Sequence, residues 1–326
     1  MKAVVVTRYG DAASFAIDDL PSEEPGAGEV RVRVRAAAVN FVDILVAAGR
    51  YQIKPALPFV SGGEFAGVVD MVGQGVEDLH PGDRVCGSGL CGAHGQMIVV
   101  KRTALAVMPT TMGFAEGATF RVGNLTAYNA LVRCGAMRPG EYVVVLGAAG
   151  GVGRAAVQIA KALGGFVVAS ASTPEKRLQA TAAGADVVID SNDPDWRKSL
   201  KAAVAGRSID IVVDPVGGQA SEPAFRSLGW GGRHLVVGFA AGHVPSLPTN
   251  LALVKGIRLI GVNIREYNIR HPLESGADMA ALNRLWRQGK LKAAPIRLYR
   301  LDQFAQAMRE AADRQVSERI VIEMPE

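Results

Sequence analysis

The spacing of hydrophobic and polar residues along the chain changes near residue 123. Before this point, apolar residues occur in short β-branched runs or alternate with polar residues, most strictly at 29–35 (EVRVRVR). A period of two is typical of half-buried strands. Strands are predicted at 2–6, 29–35, 65–72, 83–86 and 96–100. The first 122 residues should therefore form a domain that is predominantly β.

From residue 123 onward, short apolar runs alternate with segments of helical period. Predicted strands are 143–146, 166–171, 186–189, 209–213, 234–237 and 257–262, and predicted helices are 154–163, 174–183, 196–204 and 220–228. This alternation predicts an α/β domain over 123–263 with a parallel, doubly wound sheet. Further helices are predicted at 279–288 and 301–312, and a strand at 319–323. We expect residues from about 264 to 326 to complete the first domain.

Composition and charge narrow the classes of protein. Apolar residues make up 49% of the 326 residues and charged residues 21%, which is enough to build two cores. No run reaches the roughly 18 apolar residues of a membrane span, and no signal peptide is evident, so we expect a cytoplasmic location. The three cysteines, Cys86, Cys91 and Cys134, should be free thiols. The net charge of +5 is scattered, which disfavours a nucleic-acid partner.

A glycine-rich turn at 147–153 (GAAGGVG) carries the strongest local signal. It follows a predicted strand and precedes a predicted helix. Gly150 would let the backbone approach a pyrophosphate, Gly153 would allow the helix to pack closely on the strand, and the helix N-terminus would attract the anion. Ala148 replaces the first glycine of the usual pattern. A dinucleotide site is favoured over an ordinary strand-to-helix connection.

The end of the second predicted strand of this domain indicates which dinucleotide is bound. Chains that use NAD place an acidic residue there to bind the ribose hydroxyl. Here Ala171 and Ser172 are followed by Lys176 and Arg177. Cations would attract the extra phosphate of NADPH, so NADPH is the predicted cofactor, although these residues could also be an exposed helix start.

Several motifs together resemble the medium-chain dehydrogenase/reductase superfamily, and within it the zinc-independent, zeta-crystallin-like branch of NADPH:quinone reductases. They are 38–43 (AVNFVD), 49–51 (GRY), 62–67 (GGEFAG), 81–85 (PGDRV), 124–128 (NLTAY) and 148–153 (AAGGVG). The resemblance implies a GroES-like, β-rich catalytic domain joined to a Rossmann cofactor domain.

The same resemblance implies that no metal is bound. Zinc-dependent relatives place a cysteine at the position of Asn40 and a histidine at that of Gly63, so two ligands are missing. Cys86, Cys91 and His94 could hold an ion, but ordinary loop residues are the favoured interpretation. Without zinc, the substrate should accept hydride readily, as a quinone or an enone does.

Candidate site residues follow from the resemblance. Asn40, Asp43 and Tyr51 would orient the substrate in a cleft between the domains. Equally, Asn40 could satisfy loop backbone, Asp43 could cap a helix, and Tyr51 could be a packed aromatic wall. The residues expected to bind the cofactor are Thr126, Tyr128, Ala149, Gly150, Gly151, Val152, Gly153, Ser172, Lys176, Ser191, Val216, Gly217, Val237, Gly238, Phe239 and Arg314. Some relatives carry tyrosine where this chain has Ser191, which changes packing at the adenosine end.

Three functions are compatible with these patterns. Reduction of a quinone by NADPH is the leading one, and reduction of an activated C=C bond in an alkenal, enone or enoyl thioester is the second. The third is a crystallin-like, RNA-binding role, which the intact glycine turn disfavours. A homodimer is also expected, because the run at 257–262 would leave an exposed sheet edge.

Overall fold

The computed structural model describes residues 1–10, 15–313 and 316–325. The chain divides into two compact units, one of residues 1–122 with 293–326 and one of residues 123–292. The second boundary lies about 30 residues beyond the expected one at 263, because residues 264–292 are tied to the second unit. The Arg133 guanidinium pairs with buried Asp278 at 2.6 Å, and the Lys292 backbone N–H donates to Gln158 at 2.6 Å.

The helices and strands of the described residues are as follows. The strands are β1 (Lys2–Val6), β2 (Phe15–Asp19), β3 (Glu29–Ala38), β4 (Phe59–Val60), β5 (Glu64–Val72), β6 (Arg84–Ser88), β7 (Met97–Lys101), β8 (Leu105–Val107), β9 (Tyr142–Val145), β10 (Phe166–Ala171), β11 (Val187–Asp190), β12 (Ile209–Asp214), β13 (Leu228–Val236), β14 (Arg258–Gly261), β15 (Ile296–Arg300) and β16 (Arg319–Glu323). The α-helices are α1 (Phe41–Ala47), α2 (Phe114–Gly117), α3 (Arg121–Tyr128), α4 (Gly151–Ala162), α5 (Pro174–Ala182), α6 (Trp196–Ala203), α7 (Ser221–Ser227), α8 (Thr249–Lys255), α9 (Ile264–Arg270), α10 (Pro272–Arg287) and α11 (Phe304–Asp313).

The first unit is β-rich, as the alternating pattern predicts. Its larger sheet has the order β15-β16-β3-β5-β6-β8, with β7 also paired to β3, and a smaller sheet has the order β2-β1-β4. In β3 the valines are buried, whereas Arg31 and Arg33 on the other face pair with Asp70 at 2.7 and 2.9 Å. Strand β16 lies antiparallel to β3, with Val321 opposite Ala38. The C-terminal segment therefore completes the sheet of the N-terminal one.

The second unit confirms the prediction of a doubly wound parallel sheet. Its six strands have the order β11-β10-β9-β12-β13-β14, and all neighbours are parallel. The central strands are buried on both faces, which is why they occur in the sequence as continuous apolar runs. The chain order reverses between β9 and β12, and ligands bind at the carboxyl ends of the strands at such a switch point. In the part of the chain that the structure describes, no helix has the length and apolar character needed to cross a membrane.

Candidate functional site

The glycine turn connects β9 to α4 at the switch point. Gly150 precedes the helix in an extended conformation, with φ −70° and ψ 166°, and has no side chain to occupy the helix N-terminus. A Cβ atom at Gly153 would lie 2.1 Å from the Gly147 carbonyl oxygen, so this position admits only glycine. Ala149, Gly151 and Val152 complete the turn and remain partly exposed. The free N–H groups and the bare backbone suit a phosphate group.

Helix α3 approaches the glycine turn from the preceding segment. A Cβ atom at Gly123 would lie 2.9 Å from the Gly151 carbonyl oxygen, so α3 packs directly against the first turn of α4. Thr126 and Tyr128 follow on this helix, the first buried and the second half-buried. The helix then widens into a π-helix over residues 129–134. This packing holds α3 against the turn on which the cofactor is expected.

Two further loops meet beside the glycine turn, at the carboxyl ends of β12 and β13. They are interlocked by backbone hydrogen bonds, in which Ala240 donates to Pro215 at 3.2 Å and Ala241 donates to Val216 at 2.7 Å. A Cβ atom at Gly147 would lie 2.7 Å from Val216 Cγ2, so the first loop touches the turn. Gly217 has φ +69°, and the Phe239 ring fills the space of a side chain there.

These contacts bring together the cofactor residues that the sequence predicts at this edge. The glycine turn at 147–153 touches Val216, and the loop of Val216 and Gly217 is in turn bonded to the loop that contains Val237, Gly238 and Phe239.

Asp214, which belongs to none of the predicted sites, holds both loops in place. Its Oδ1 accepts from the backbone N–H groups of Val216 and Gly217 at 3.0 and 2.8 Å. Its Oδ2 accepts from the Ser221 hydroxyl and lies 3.0 Å from His234 Nε2. Burial raises the pKa of Asp214, but the hydrogen bonds from His234, Ser221 and Gly217 outweigh it and hold the pKa below its usual value.

The backbone of Asp214 binds the second loop, which follows β13. Its carbonyl oxygen accepts from Val237 at 2.9 Å and from Gly238 at 3.3 Å. Asp214 therefore binds both loops, one through its side chain and the other through its main chain.

The expected adenosine end lies where β10 and β11 finish. Thr173 caps α5 by accepting from the Lys176 backbone N–H at 3.3 Å, which places Lys176 in the first turn of that helix. The Ser191 N–H donates to the Ala171 carbonyl at 3.1 Å, so the ends of the two strands are joined. Ser172, Lys176 and Ser191 are thus neighbours of one strand end. Arg314 lies outside the described residues.

In the first unit, Asn40 stands at the centre of a hydrogen-bonded cluster. Its side-chain carbonyl accepts from Arg319, and its amide nitrogen donates to Glu64 Oε2 at 3.0 Å. Its backbone N–H donates to Asp43 Oδ2 at 2.7 Å. The other Glu64 oxygen accepts from the Val122 N–H at 2.7 Å. The orientation of the Asn40 amide is therefore fixed from both sides.

The acids of this cluster are buried. Asp43 is 3% exposed and forms the capping box of α1, and Glu64 is fully buried on β5. Burial raises the pKa of Asp43 to about 7 and also raises that of Glu64, although the charge of Arg319 opposes both shifts. Tyr51 is partly buried and packs against the apolar cluster of Val6, Val46 and Phe59. Glu64 and Arg319 were missed as site residues, because only the pairing of β16 with β3 brings Arg319 to Asn40.

The residues considered for zinc are not arranged as a ligand set. Both ring nitrogens of His94 are engaged, one 3.1 Å from Ser61 Oγ and the other 3.0 Å from the Ala38 carbonyl oxygen. Cys86 is buried in the core. Over residues 1–10, 15–313 and 316–325, no three His, Cys, Asp or Glu side chains are grouped so that they could hold a metal ion.

Comparisons with known proteins agree with this architecture. Residues 26–178 match the alcohol dehydrogenase GroES-like domain family, and residues 151–280 match the zinc-binding dehydrogenase family. The quinone oxidoreductase-like protein 2 homolog of Nematostella vectensis is 33% identical over 94% of this chain and 84% of its own length.

Two solved structures are similar over nearly the whole chain. Escherichia coli quinone oxidoreductase complexed with NADPH has a TM-score of 0.90 and 26% identity, covering 99% of this chain and 100% of that one. The CurK enoyl reductase has a TM-score of 0.90 and 27% identity, covering 99% of each chain. The fold, the family matches and these relatives agree, and the chain belongs to the medium-chain dehydrogenase/reductase superfamily of oxidoreductases, among its quinone oxidoreductase-like members.

Proposed function

We propose that the protein is an NADPH-dependent quinone reductase that transfers hydride to a quinone without a metal ion. The observation that carries this proposal is the side-chain amide of Asn40, which is hydrogen-bonded on both sides. At a position where zinc-dependent relatives have a thiolate ligand, this chain holds a neutral amide between Glu64 and Arg319. The relatives named as quinone oxidoreductases support the same substrate class, and a relative that is complexed with NADPH supports the cofactor.

The residues of the second unit fit NADPH in three places. The bare turn at Gly150 suits the pyrophosphate, the loops tied by Asp214 would hold the nicotinamide end, and Lys176 would attract the adenosine phosphate. NADPH supplies the hydride. The protein positions the two reactants, and a quinone needs little further activation because its product is aromatic.

Asn40 would orient the substrate as a hydrogen-bond donor. Because its carbonyl oxygen accepts from Arg319 and one amide N–H donates to Glu64, the second N–H of the amide is the group that would donate to a bound quinone carbonyl. Asp43 is a positioning residue in this scheme, since its carboxylate binds the Asn40 backbone and is itself buried. Tyr51 is proposed as a second donor to the developing oxyanion.

Reduction of an activated C=C bond is the second candidate, favoured by the similarity to the CurK enoyl reductase. Oxidation of NADPH should be followed in parallel with quinones, enones and enoyl thioesters. Turnover of quinones alone is the expected result, whereas turnover of enoyl thioesters alone would assign the second function. Binding of RNA that weakens steeply with salt, without any turnover, would indicate a crystallin-like role.

Lys176→Ala should weaken NADPH binding about tenfold and leave NADH binding nearly unchanged. A charge-assisted hydrogen bond to phosphate contributes about 1.5 to 3 kcal/mol. Adding Arg314→Ala should remove most of the remaining discrimination, although two residues that share one phosphate need not act additively. Ala171→Asp should act in the opposite sense and favour NADH. Equal dissociation constants for NADPH and NADH in the unchanged protein, measured by calorimetry, would show that no phosphate pocket exists.

The purified protein should contain no stoichiometric zinc and should keep its activity in a strong chelator. Asn40 and Gly63 supply neither a thiolate nor an imidazole, and a Cβ atom at Gly63 would lie 3.0 Å from the Gly89 carbonyl oxygen. Elemental analysis checks this prediction, and one tightly held zinc ion per chain would contradict it.

The protein should be a homodimer that pairs two copies of β14. This strand is one edge of the six-stranded sheet, and large apolar side chains are exposed on it and on the elements before it: Leu259 of β14 is 55%, Trp230 of β13 82% and Leu253 of α8 84% exposed. Unpaired edges with apolar neighbours favour closed two-fold pairing. Analytical ultracentrifugation should give a dimer that Leu259→Glu weakens. A monomer at all concentrations would refute the prediction.

A further inference from the structure

The phosphate end of the proposed cofactor site contains an acid as well as cations. Asp190 is the last residue of β11 and lies opposite Ala171, the last residue of β10, in the parallel register. Its Oδ2 is 2.8 Å from the Arg177 guanidinium, which also donates to the Ala171 carbonyl at 3.4 Å. The guanidinium therefore lies across the ends of both strands.

Asp190 is fixed in this position by a second contact. Its Oδ1 accepts from the backbone N–H of Asn192 at 2.9 Å. The Asn192 side chain in turn donates to the Ser172 carbonyl at 3.0 Å, which ties the loop after β11 to the end of β10. The acid is thus part of the wall of the expected adenosine site.

We infer that Asp190 limits the preference for NADPH over NADH by holding Arg177 in an ion pair. The inference rests on the proposed use of NADPH. The end of the second strand of a doubly wound sheet is where the adenosine ribose is bound. A 2′-phosphate placed there must compete with Asp190 for the guanidinium of Arg177.

The exposure of the pair determines the size of the effect. The side chains of Arg177 and Asp190 are 27% and 40% exposed, so water screens them and a bound phosphate can compete for the guanidinium. A partly exposed ion pair changes a binding constant by roughly twofold to fivefold. Asp190 should therefore reduce the difference in affinity between NADPH and NADH without abolishing it.

Asp190→Asn tests the inference. The asparagine keeps the oxygen that accepts from the Asn192 N–H but no longer attracts the guanidinium. The dissociation constants of NADPH, NADH and 2′,5′-ADP are measured by titration calorimetry. NADPH and 2′,5′-ADP should bind about fivefold more tightly, while NADH binding should stay within about twofold of its value in the unchanged protein.

A double-mutant cycle separates the ion pair from simple charge repulsion. In the Arg177→Ala background, Asp190→Asn should lose most of its effect on 2′,5′-ADP. An equal gain in both backgrounds would overturn the inference, because Asp190 would then act on the phosphate directly. If Asp190→Asn does not tighten the binding of 2′,5′-ADP when Arg177 is present, the inference is overturned as well.

A matched control lies just before the other end of the same strand. Asp186 pairs with Lys161 at 2.8 Å with comparable exposure, next to the amino end of β11, and Asp186→Asn should leave all three constants unchanged. If the unchanged protein binds NADPH but Asp190→Asn has no effect, only this inference fails. If it binds neither nucleotide, the proposed function fails and the inference with it.

Discussion

Asp214→Ala is expected to lower the free energy of unfolding by about 3 to 5 kcal/mol and to weaken NADPH binding at least about tenfold. The change removes the acceptor of the backbone N–H groups of Val216 and Gly217 and of the buried Ser221 and His234 side chains. Buried donors without partners cost about 1 to 3 kcal/mol each, although the structure relaxes to recover part of this. Urea denaturation and nucleotide titration measure the two effects.

Asp214→Asn provides the control, because the two carboxylate oxygens have different partners. The side facing Val216 and Gly217 needs an oxygen, since backbone N–H groups only donate. The side facing Ser221 and His234 can take an NH₂ group, since a hydroxyl and an imidazole nitrogen can both accept. Asp214→Asn should therefore cost only about 1 kcal/mol. Equal losses for the alanine and asparagine variants would contradict the assigned hydrogen bonds.

Gly153→Ala should weaken NADPH binding about a hundredfold. The new Cβ atom would lie 2.1 Å from Gly147 O and 2.9 Å from Ala148 Cα, and both are backbone atoms that no side-chain rotation can move. Helix α4 must then shift away from the turn, at a cost of about 1 to 3 kcal/mol in stability. The shift would move the N–H groups at the start of α4 away from the pyrophosphate, and losing about 2.8 kcal/mol, as much as one strong hydrogen bond to a charged group, is a hundredfold in affinity. Titration calorimetry and thermal unfolding of the same preparation check both numbers.

Two further glycine substitutions separate binding from folding. In Gly150→Ala, the new Cβ atom would approach only Gly147 O, at 3.3 Å, so the protein should fold. Its methyl group would lie where the pyrophosphate is expected, and NADPH should therefore bind about tenfold more weakly. Gly276→Ala lies in α10 with nothing within 4 Å and should raise the stability by about 0.5 to 1 kcal/mol. Unchanged NADPH affinity in Gly153→Ala and Gly150→Ala would exclude the turn as the cofactor site.

The elements that the sequence predicts are those in which local pattern and tertiary environment agree. Strands β9, β10 and β12 are buried, predominantly apolar runs. Strand β13 is different, since it begins at Leu228 rather than at the predicted residue 234 and includes Gly229, Gly231 and Gly232. Glycine is a poor strand former, so this part of the strand depends on pairing with β12 and not on the local sequence. Helix α10 begins seven residues before the predicted start at 279, and Pro272 in its first turn was the available signal.

The candidate site likewise has a part that the sequence predicts and a part that it does not. The glycine turn is contiguous in sequence, so its residues could be found from their order alone. The partners of Asp214 and Asn40 are distant: His234 lies 20 residues from Asp214 on the next strand, and Arg319 lies 279 residues from Asn40. Their roles depend on strand register, and a single sequence does not specify register between distant strands.

Because the second unit is inserted between two segments of the first, its sheet can form earlier during synthesis than the larger sheet of the first unit. Residues 123–292 are contiguous, so their six-stranded sheet can close as soon as they leave the ribosome. The larger sheet of the first unit cannot close then, because β16 lies between β15 and β3 and is made almost 300 residues after β3 begins. Until β16 arrives, only residues 36–38 of β3 lack their partner strand, since β7 already pairs with residues 29–33, and the core that includes Phe304 and Ile322 is incomplete. During synthesis, the sheet of the second unit can therefore be complete while the larger sheet of the first unit still lacks its C-terminal strands.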